Sequence, residues 1–184
     1  ICAGGNLTLS ANPTPALPLA GVYTYSWTGP NGFTSNQQNP TIANPTAAAS
    51  GTYTVTINSN CGSVSASTQV TVNPSPNPSI TNNTGTTIID CNAPAINVTA
   101  NGGGTYSWDN GLGTNANASI TTAGTFTVTV TNAQGCSNTS SITTTVAPVP
   151  TVTVNDATIC SGQSATLNAV TSPAGGTLTW SNGQ

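Results

Sequence analysis

The segment Thr105–Cys136, TYSWDNGLGTNANASITTAGTFTVTVTNAQGC, decides the fold of this chain. It contains a strand that carries a tryptophan, a polar turn region, a Gly-led strand in which apolar residues alternate with threonine, and a turn that closes on a cysteine. Alternation with a period of two is typical of a strand with one buried face and one solvated face. The segment therefore predicts β structure packed on one side.

Related segments stand before and after this one. YTYSW (Tyr23–Trp27) and SGTYTVTINSNC (Ser50–Cys61) precede it, and LTWSNGQ (Leu178–Gln184) follows it. Self-similarity of this kind is the sequence signature of an array built from one small module.

Tryptophan spacing sets the size of the repeat. Trp27 and Trp108 are 81 positions apart, and Trp108 and Trp180 are 72 apart. Proline-rich runs, NPSPNP (Asn73–Pro78) and APVP (Ala147–Pro150), interrupt the strand pattern and cannot continue a sheet ladder. We therefore place module boundaries at these runs.

The sequence predicts an all-β chain of tandem β-sandwich modules in a linear array, each with about seven short strands. Module 1 comprises residues 1–73, module 2 residues 74–148 and module 3 residues 149–184. We expect module 1 to lack its first strand and module 3 its last strands, as in a piece of a longer protein. No segment has the pattern of a helix.

Lysine, arginine and histidine are absent, and the acidic residues are Asp90, Asp109 and Asp156. General acid–base and nucleophilic catalysis normally need His, Glu or Lys beside the reacting group. We therefore predict that the protein is not an enzyme and has no cofactor. Nucleic acid and anionic membranes are excluded as electrostatic partners because no cation is present. No apolar run is long enough for membrane insertion.

The predicted core lies on the aromatic and Val-bearing faces of the repeated strands, while their Thr residues form the solvent face. A sugar-binding role for the repeated Trp residues is disfavoured, because a Trp at the same strand position in each module belongs to a core. Exposed aromatic candidates for a ligand are Phe33 and Tyr23. The predicted core residues are Tyr25, Trp27, Tyr53, Val55, Trp108, Phe126, Val128 and Trp180.

The order of motifs resembles a known class of repeat. CxG…TL, then Y-x-W with a polar Gly turn, then a GTYTV-type strand and GC, is similar to the Ig-like and PKD-like repeats of giant Bacteroidota surface proteins. These include gliding-motility adhesins and proteins exported by the type 9 secretion system. The resemblance covers nearly the whole chain and implies an Ig-like fold, secretion, and adhesive or spacer roles in cell-surface rods or filaments. Module 1 departs from it with a longer Pro-rich connection, Asn12–Leu19, and no acidic residue.

Five cysteines recur at two places in the repeat. Cys2, Cys91 and Cys160 precede the LTL-type strand, whereas Cys61 and Cys136 follow the GTYTV-type strand. Without a CxxC or Cys/His pattern, and with scattered aspartates, we predict disulfides in an oxidising compartment and no metal site, although a weak calcium site near a junction stays open.

Two disulfide pairings are open. In immunoglobulin topology the two cysteines of a module lie at opposite ends, roughly 20 Å apart, whereas bonded Cα atoms lie within about 7 Å. In a linear stack, successive modules meet end to end, which favours a bond between modules, Cys2–Cys136. Cys91 would then pair with the cysteine that follows the GTYTV-type strand of module 3, which this sequence does not include. The alternative is pairing within modules, Cys2–Cys61 and Cys91–Cys136, which leaves Cys160 for a partner beyond the end of this sequence.

The sequence thus favours a structural or adhesive segment of a long extracellular protein that forms a rod, stalk or filament. Its expected partners are neighbouring modules or copies of itself, because a nearly uncharged surface offers little repulsion. The alternatives are a module that binds surface glycans or another surface ligand, and an inert spacer attached to a secreted enzyme.

Overall fold

The structure, a computed structural model, describes residues 1–13, 23–60, 62–175 and 177–181. Cys61, most of the Pro-rich connection and the last three residues of LTWSNGQ lie outside these ranges. The described residues form strands and loops, with two single-turn 3₁₀ helices at Pro30–Gly32 and Ala47–Ala49.

Fifteen strands are present in the described residues. They are β1 Asn6–Thr8, β2 Thr24–Thr28, β3 Thr34–Ser35, β4 Thr41–Ala43, β5 Gly51–Ser59, β6 Gly62–Val70, β7 Ser79–Asn82, β8 Ile88–Ile89, β9 Ile96–Asn101, β10 Thr105–Trp108, β11 Asn117–Ile120, β12 Gly124–Thr131, β13 Ser137–Val146, β14 Thr151–Val154 and β15 Ala169–Ser172.

Module 2 is a sandwich of two sheets. One sheet has the order β10-β12-β13-β8 and the other has the order β11-β9-β7. The first strand is divided: β7 pairs antiparallel with β9, whereas β8 crosses to the other sheet and runs parallel to β13. In immunoglobulin nomenclature these are strands A, A′, B, C, E, F and G for β7 to β13 in turn, so the module is an Ig-like sandwich.

Module 1 repeats this arrangement around its own core. Its sheets are β3-β2-β5-β6 and β1-β4, which correspond to C′-C-F-G and B-E. The segment Ile1–Ala3 takes the place of strand A′, because Cys2 forms a parallel bridge with Asn73, just after β6. The Asn73 N–H donates to the Ile1 carbonyl at 2.8 Å, and the Ala3 N–H donates to the Asn73 carbonyl at 2.8 Å.

Each sandwich encloses one apolar cluster, and burial of these side chains is the main force that holds it together. The cluster of module 1 contains Leu7, Leu9, Ala11, Trp27, Tyr53, Val55 and Ile57. The cluster of module 2 contains Ile89, Ile96, Val98, Ala100, Trp108, Ile120, Phe126, Val128 and Val130. Six of the eight residues expected in a core are therefore buried.

Tyr25 and Trp180 are the other two. Tyr25 is half-buried and packs at the rim of the first cluster. Among the described residues, β3 pairs with Trp27 and Thr28 of β2 and does not extend to Tyr25. The expectation that Trp180 belongs to a core is wrong: it is half-buried and joins neither cluster. In the part of module 3 that the structure describes, the strands are β14 and β15, which form a two-stranded sheet without a second sheet to pack on.

The same backbone carbonyl is capped in both sandwiches by different side chains. In module 1 the buried Tyr53 hydroxyl donates to the Ala49 carbonyl at 2.8 Å, just before strand F. In module 2 the residue at the position of Tyr53 is Phe126, which has no hydroxyl; the Thr144 hydroxyl of strand G instead donates to the Thr122 carbonyl at 2.8 Å. In both modules a hydroxyl group therefore provides a hydrogen bond to the carbonyl that precedes strand F beside the core.

We predict that Tyr53→Phe lowers the free energy of unfolding of module 1 by about 1–2 kcal/mol, because it removes a buried hydrogen bond and leaves a carbonyl unpaired. Thr144→Val should do the same in module 2. Urea unfolding followed by tryptophan fluorescence measures both, since Trp27 and Trp108 report the two cores separately in single-Trp backgrounds.

The matched control is Thr129→Val, which removes a hydroxyl from the outer face of β12 and should change stability by no more than about 0.5 kcal/mol. Equal urea midpoints for Tyr53→Phe and the unchanged chain would contradict the stabilising role of the hydrogen bond between Tyr53 and Ala49.

Burial raises the pKa of the Tyr53 hydroxyl above its ordinary value of 10.0. The folded state therefore holds this proton more tightly than the unfolded state, and the associated stability is complete below about pH 10 and is lost as the pH rises through the folded pKa. We predict that the stability advantage of the unchanged chain over Tyr53→Phe shrinks between about pH 8 and about pH 11, as urea midpoints would show. A constant difference would refute the prediction.

Candidate functional site at the module junction

A disulfide joins the two sandwiches. It links Cys2 of module 1 to Cys136 of module 2 across 134 positions of sequence, and the two Cα atoms are 5.5 Å apart. This separation is ordinary for bonded cysteines. Cys136 is completely buried and Cys2 is half-buried. The bond of this structure is therefore the one between modules.

Cys2 is held at the trailing end of module 1, where the chain leaves the sandwich. Its bridge to Asn73 attaches it to the start of the proline-rich linker. The Ser75 hydroxyl donates to the Ala3 carbonyl at 2.9 Å and ties the linker to the same segment. The position of this sulfur therefore depends on the first residues of the linker.

Cys136 closes the turn between strands F and G at the leading end of module 2. The Asn132 side-chain oxygen accepts from the N–H of Gln134 at 3.1 Å and from the N–H of Cys136 at 2.9 Å. The Asn132 N–H donates to the Cys136 carbonyl at 2.9 Å. Asparagine commonly organises turns in this way. The turn thus fixes Cys136 at the end of the module that faces module 1.

Two asparagine side chains of module 2 donate to carbonyls of the linker. The Asn132 Nδ2 group donates to the Pro74 carbonyl at 2.8 Å, and the Asn138 Nδ2 group donates to the Pro76 carbonyl at 3.2 Å. The linker is stiff at these positions because proline fixes the backbone φ angle. We call these two bonds the asparagine clamp.

Gly102 lets the turn between strands B and C approach the linker. Its φ is +138°, and a Cβ at this position would lie 3.0 Å from the Pro78 Cα and 3.4 Å from the Asn77 carbonyl oxygen. Any larger residue would therefore push the linker away from module 2 and strain the backbone.

The other cysteines do not take part in this bond. Cys91 and Cys160 are exposed free thiols, and Cys61 lies outside the described residues. Cys91 follows β8 at the trailing end of module 2, the position that Cys2 has in module 1.

The aromatic residues considered for ligand binding are engaged with the core. Phe33 is half-buried and meets the Tyr53 ring edge-on, with 5.5 Å between ring centroids. Tyr23 is also half-buried and packs against the core of module 1. These two candidates of the ligand-binding alternative therefore have one side of the ring against the core.

The aspartates at 90 and 109 serve turns. Asp90 accepts from the N–H groups of Asn92 at 2.8 Å and Ala93 at 2.7 Å. Asp109 accepts from the Thr127 N–H at 2.9 Å. In the described part of the chain, no three His, Cys, Asp or Glu residues are grouped as metal ligands. The same residues include no helix with the length and hydrophobicity needed to cross a membrane.

The outward faces of the strand pairs β12–β13 and β5–β6 consist of uncharged polar side chains. Cross-strand hydroxyl bonds occur there, with Oγ atoms 2.9 Å apart in Thr125–Thr143 and 2.8 Å apart in Thr56–Ser65. The outward residues of β12 and β13 are Thr125, Thr127, Thr129, Thr131, Ser137, Thr139, Ser141 and Thr143, and those of β5 and β6 are Thr52, Thr54, Thr56, Asn58, Ser63, Ser65, Ser67 and Gln69. The threonine rows are the outward faces of half-buried strands.

No protein-family model matches the chain, and no curated protein matches it. Among solved structures, it is similar to an amphioxus IgVJ-C2 molecule, with 13% identity and a TM-score of 0.33 over 79% of this chain and 99% of that one. Murine CEACAM1b has 15% identity and a TM-score of 0.35, over 80% and 95% of the two chains. The three N-terminal domains of the Hoc capsid protein of bacteriophage RB49 have 20% identity and a TM-score of 0.38, over 93% and 64%. Because these scores are low, the Ig-like assignment rests on the strand order described above.

We predict that non-reducing peptide mapping of the chain will recover one cross-link, between the peptides that carry Cys2 and Cys136. Chymotrypsin is suitable, whereas trypsin has no cleavage site because Lys and Arg are absent. Iodoacetamide added before reduction should label Cys91 and Cys160, because both are exposed.

The same chain alkylated only after reduction is the control for complete cleavage and recovery. A cross-link between Cys2 and Cys61, or between Cys91 and Cys136, would contradict the junction described here.

Proposed function

We propose that this chain is a stiff spacer in a long extracellular or cell-surface protein, where tandem Ig-like modules form a rod or stalk. The observation that carries the proposal is the Cys2–Cys136 disulfide across the junction. A linker alone permits hinge motion between domains. A covalent bond beside the linker gives the junction a second point of attachment and removes most of this freedom.

The noncovalent contacts support the same role. The asparagine clamp and the bond from Ser75 to Ala3 hold the linker against both sandwiches. Prolines limit bending within the linker itself. We propose that modules 1, 2 and 3 cover residues 1–73, 74–148 and 149–184. The same kind of junction then recurs at Ala147–Pro150, where Cys91 takes the place of Cys2.

The chemistry of the surface fits a passive structural role. The chain has no cation and three acids, so it lacks the side chains with which most enzymes and nucleic-acid-binding proteins work. Disulfides persist in oxidising compartments, which supports an extracellular location. The repeats of Bacteroidota surface adhesins have the motif order found here, and we propose a protein of that kind as the parent chain.

A glycan-binding module is the second candidate, and no described residue favours it. Phe33 and Tyr23 are committed to the core, and the outer sheet faces offer hydroxyls without an aromatic platform. Copies of this chain remain the proposed lateral partners, because the surface carries almost no charge that would keep them apart.

We predict that the two sandwiches tumble as one body. Backbone ¹⁵N relaxation should give one common rotational correlation time for core residues of modules 1 and 2 in the oxidised chain. In the double variant Cys2→Ser/Cys136→Ser the two modules should give shorter, separate correlation times, since the remaining contacts are single hydrogen bonds.

The matched control is Cys91→Ser/Cys160→Ser, which removes two exposed thiols and should leave the common correlation time unchanged. Independent tumbling of the modules in the oxidised, correctly bonded chain would overturn the proposed function.

A further inference from the structure

Asn132 uses both ends of its side-chain amide. The oxygen accepts from the N–H of Cys136 at 2.9 Å and shapes the turn that carries this cysteine. The nitrogen donates to the Pro74 carbonyl at 2.8 Å and so binds the linker between the two modules. Asn132 therefore contacts both the turn that carries Cys136 and the linker that holds the segment of Cys2.

We propose that Asn132 is the positioning residue that selects Cys2 as the disulfide partner of Cys136. This inference rests on the proposed stapled junction and adds the residue that determines which cysteines meet. The turn Asn132–Cys136 is then a docking element, and the carbonyl of Pro74 is the group it recognises.

A short series of contacts connects the two sulfurs through this residue. Pro74 follows Asn73, whose N–H and carbonyl pair with the segment that contains Cys2. The Cys136 sulfur lies 4.0 Å from the Asn73 carbonyl oxygen. When Asn132 binds Pro74, Cys136 is therefore placed beside the residue that holds Cys2.

Loop-closure entropy alone would favour Cys91 over Cys2 as the partner of Cys136. Cys91 lies 45 positions from Cys136, whereas Cys2 lies 134 positions away. Closing the longer loop is disfavoured by about fivefold on loop-closure entropy. The fold of module 2 keeps Cys91 and Cys136 at opposite ends of the sandwich, and the asparagine clamp is the described interaction that brings the Cys136 turn to the linker beside Cys2.

The bond can form by exchange with a small-molecule disulfide such as oxidised glutathione. The thiolate of one cysteine attacks the oxidant and forms a mixed disulfide, with release of one reduced glutathione. The thiolate of the second cysteine attacks the protein sulfur of the mixed disulfide and releases a second reduced glutathione. Two electrons and two protons pass from the two protein thiols to the oxidant, and Asn132 supplies proximity only.

The test uses the full chain with Asn132→Asp. Aspartate keeps the oxygen that accepts from Cys136 but loses the nitrogen that donates to Pro74. The chain is equilibrated in buffers of reduced and oxidised glutathione, and the cross-links are mapped and quantified. We expect the effective concentration of the Cys2–Cys136 pair to fall by about three- to tenfold, which corresponds to one lost hydrogen bond.

The matched control is Asn83→Asp, which adds the same charge in module 2 and removes a 2.9 Å bond from Asn83 Nδ2 to the Thr99 hydroxyl, within the module. It should leave the pairing unchanged. A second variant, Asn138→Asp, removes the other bond of the clamp and should lower the same quantity in the same direction. Tryptophan fluorescence of the reduced variants is used to check that each is folded. If Asn132→Asp does not fold, Asn138→Asp serves as the test.

The outcomes separate the two proposals. If the unchanged chain does not form Cys2–Cys136, the proposed stapled junction fails. If it forms the bond and Asn132→Asp pairs equally well, the junction stands and the role of Asn132 is overturned. A further variant, Asn132→Ala, also removes the side-chain oxygen that shapes the turn. If Asn132→Ala lowers the pairing and Asn132→Asp does not, the shape of the turn is responsible rather than the bond to Pro74, which also overturns the inference.

Discussion

The covalent bond between Cys2 and Cys136 is the constraint on which the architecture depends. It closes a loop that contains all of module 1 and every strand of module 2 except the last, β13. Tension applied to the two ends of the chain would pass through the sulfur atoms and then along β13, and would bypass the core of module 1. The strength of such a rod would then depend on sulfur–sulfur bonds at the junctions, and the sandwiches would serve to hold the cysteines in place.

The sandwiches themselves are stabilised without charged pairs. Each has an apolar cluster, an outer face of hydroxyl groups and a corner at which one buried carbonyl is capped by a hydroxyl. The exchange of Tyr53 for Phe126 and Thr144 shows that the fold requires the hydrogen bond at this corner and tolerates a change in the residue that makes it. Uncharged polar side chains therefore cover the outward faces of β5, β6, β12 and β13, and among the described residues no buried side-chain nitrogen or oxygen lacks a hydrogen-bond partner.

Period-two alternation predicted the strands and their buried faces, because one side of each sheet must be apolar. Trp180 was wrongly assigned to a core, since the pattern around it is that of a strand but the packing needs a second sheet. Phe33 and Tyr23, the aromatic candidates for a ligand, pack against the core of module 1, and the sequence pattern does not show this contact. Asn132 was missed entirely: the chain contains 23 asparagines, and no spacing marks the one that contacts the linker between the modules. Contacts at a junction between modules depend on the topology of the chain, and local sequence patterns do not predict them.

Single-molecule stretching of the chain between handles at its two ends tests the stapled junction most directly. In the oxidised chain the loop of 134 positions cannot extend, so the fully stretched length should be about 450 Å shorter than after reduction. A Cys2–Cys61 bond, which spans 59 positions, would hide only about 200 Å. A difference of that size, or equal lengths before and after reduction, would contradict the account.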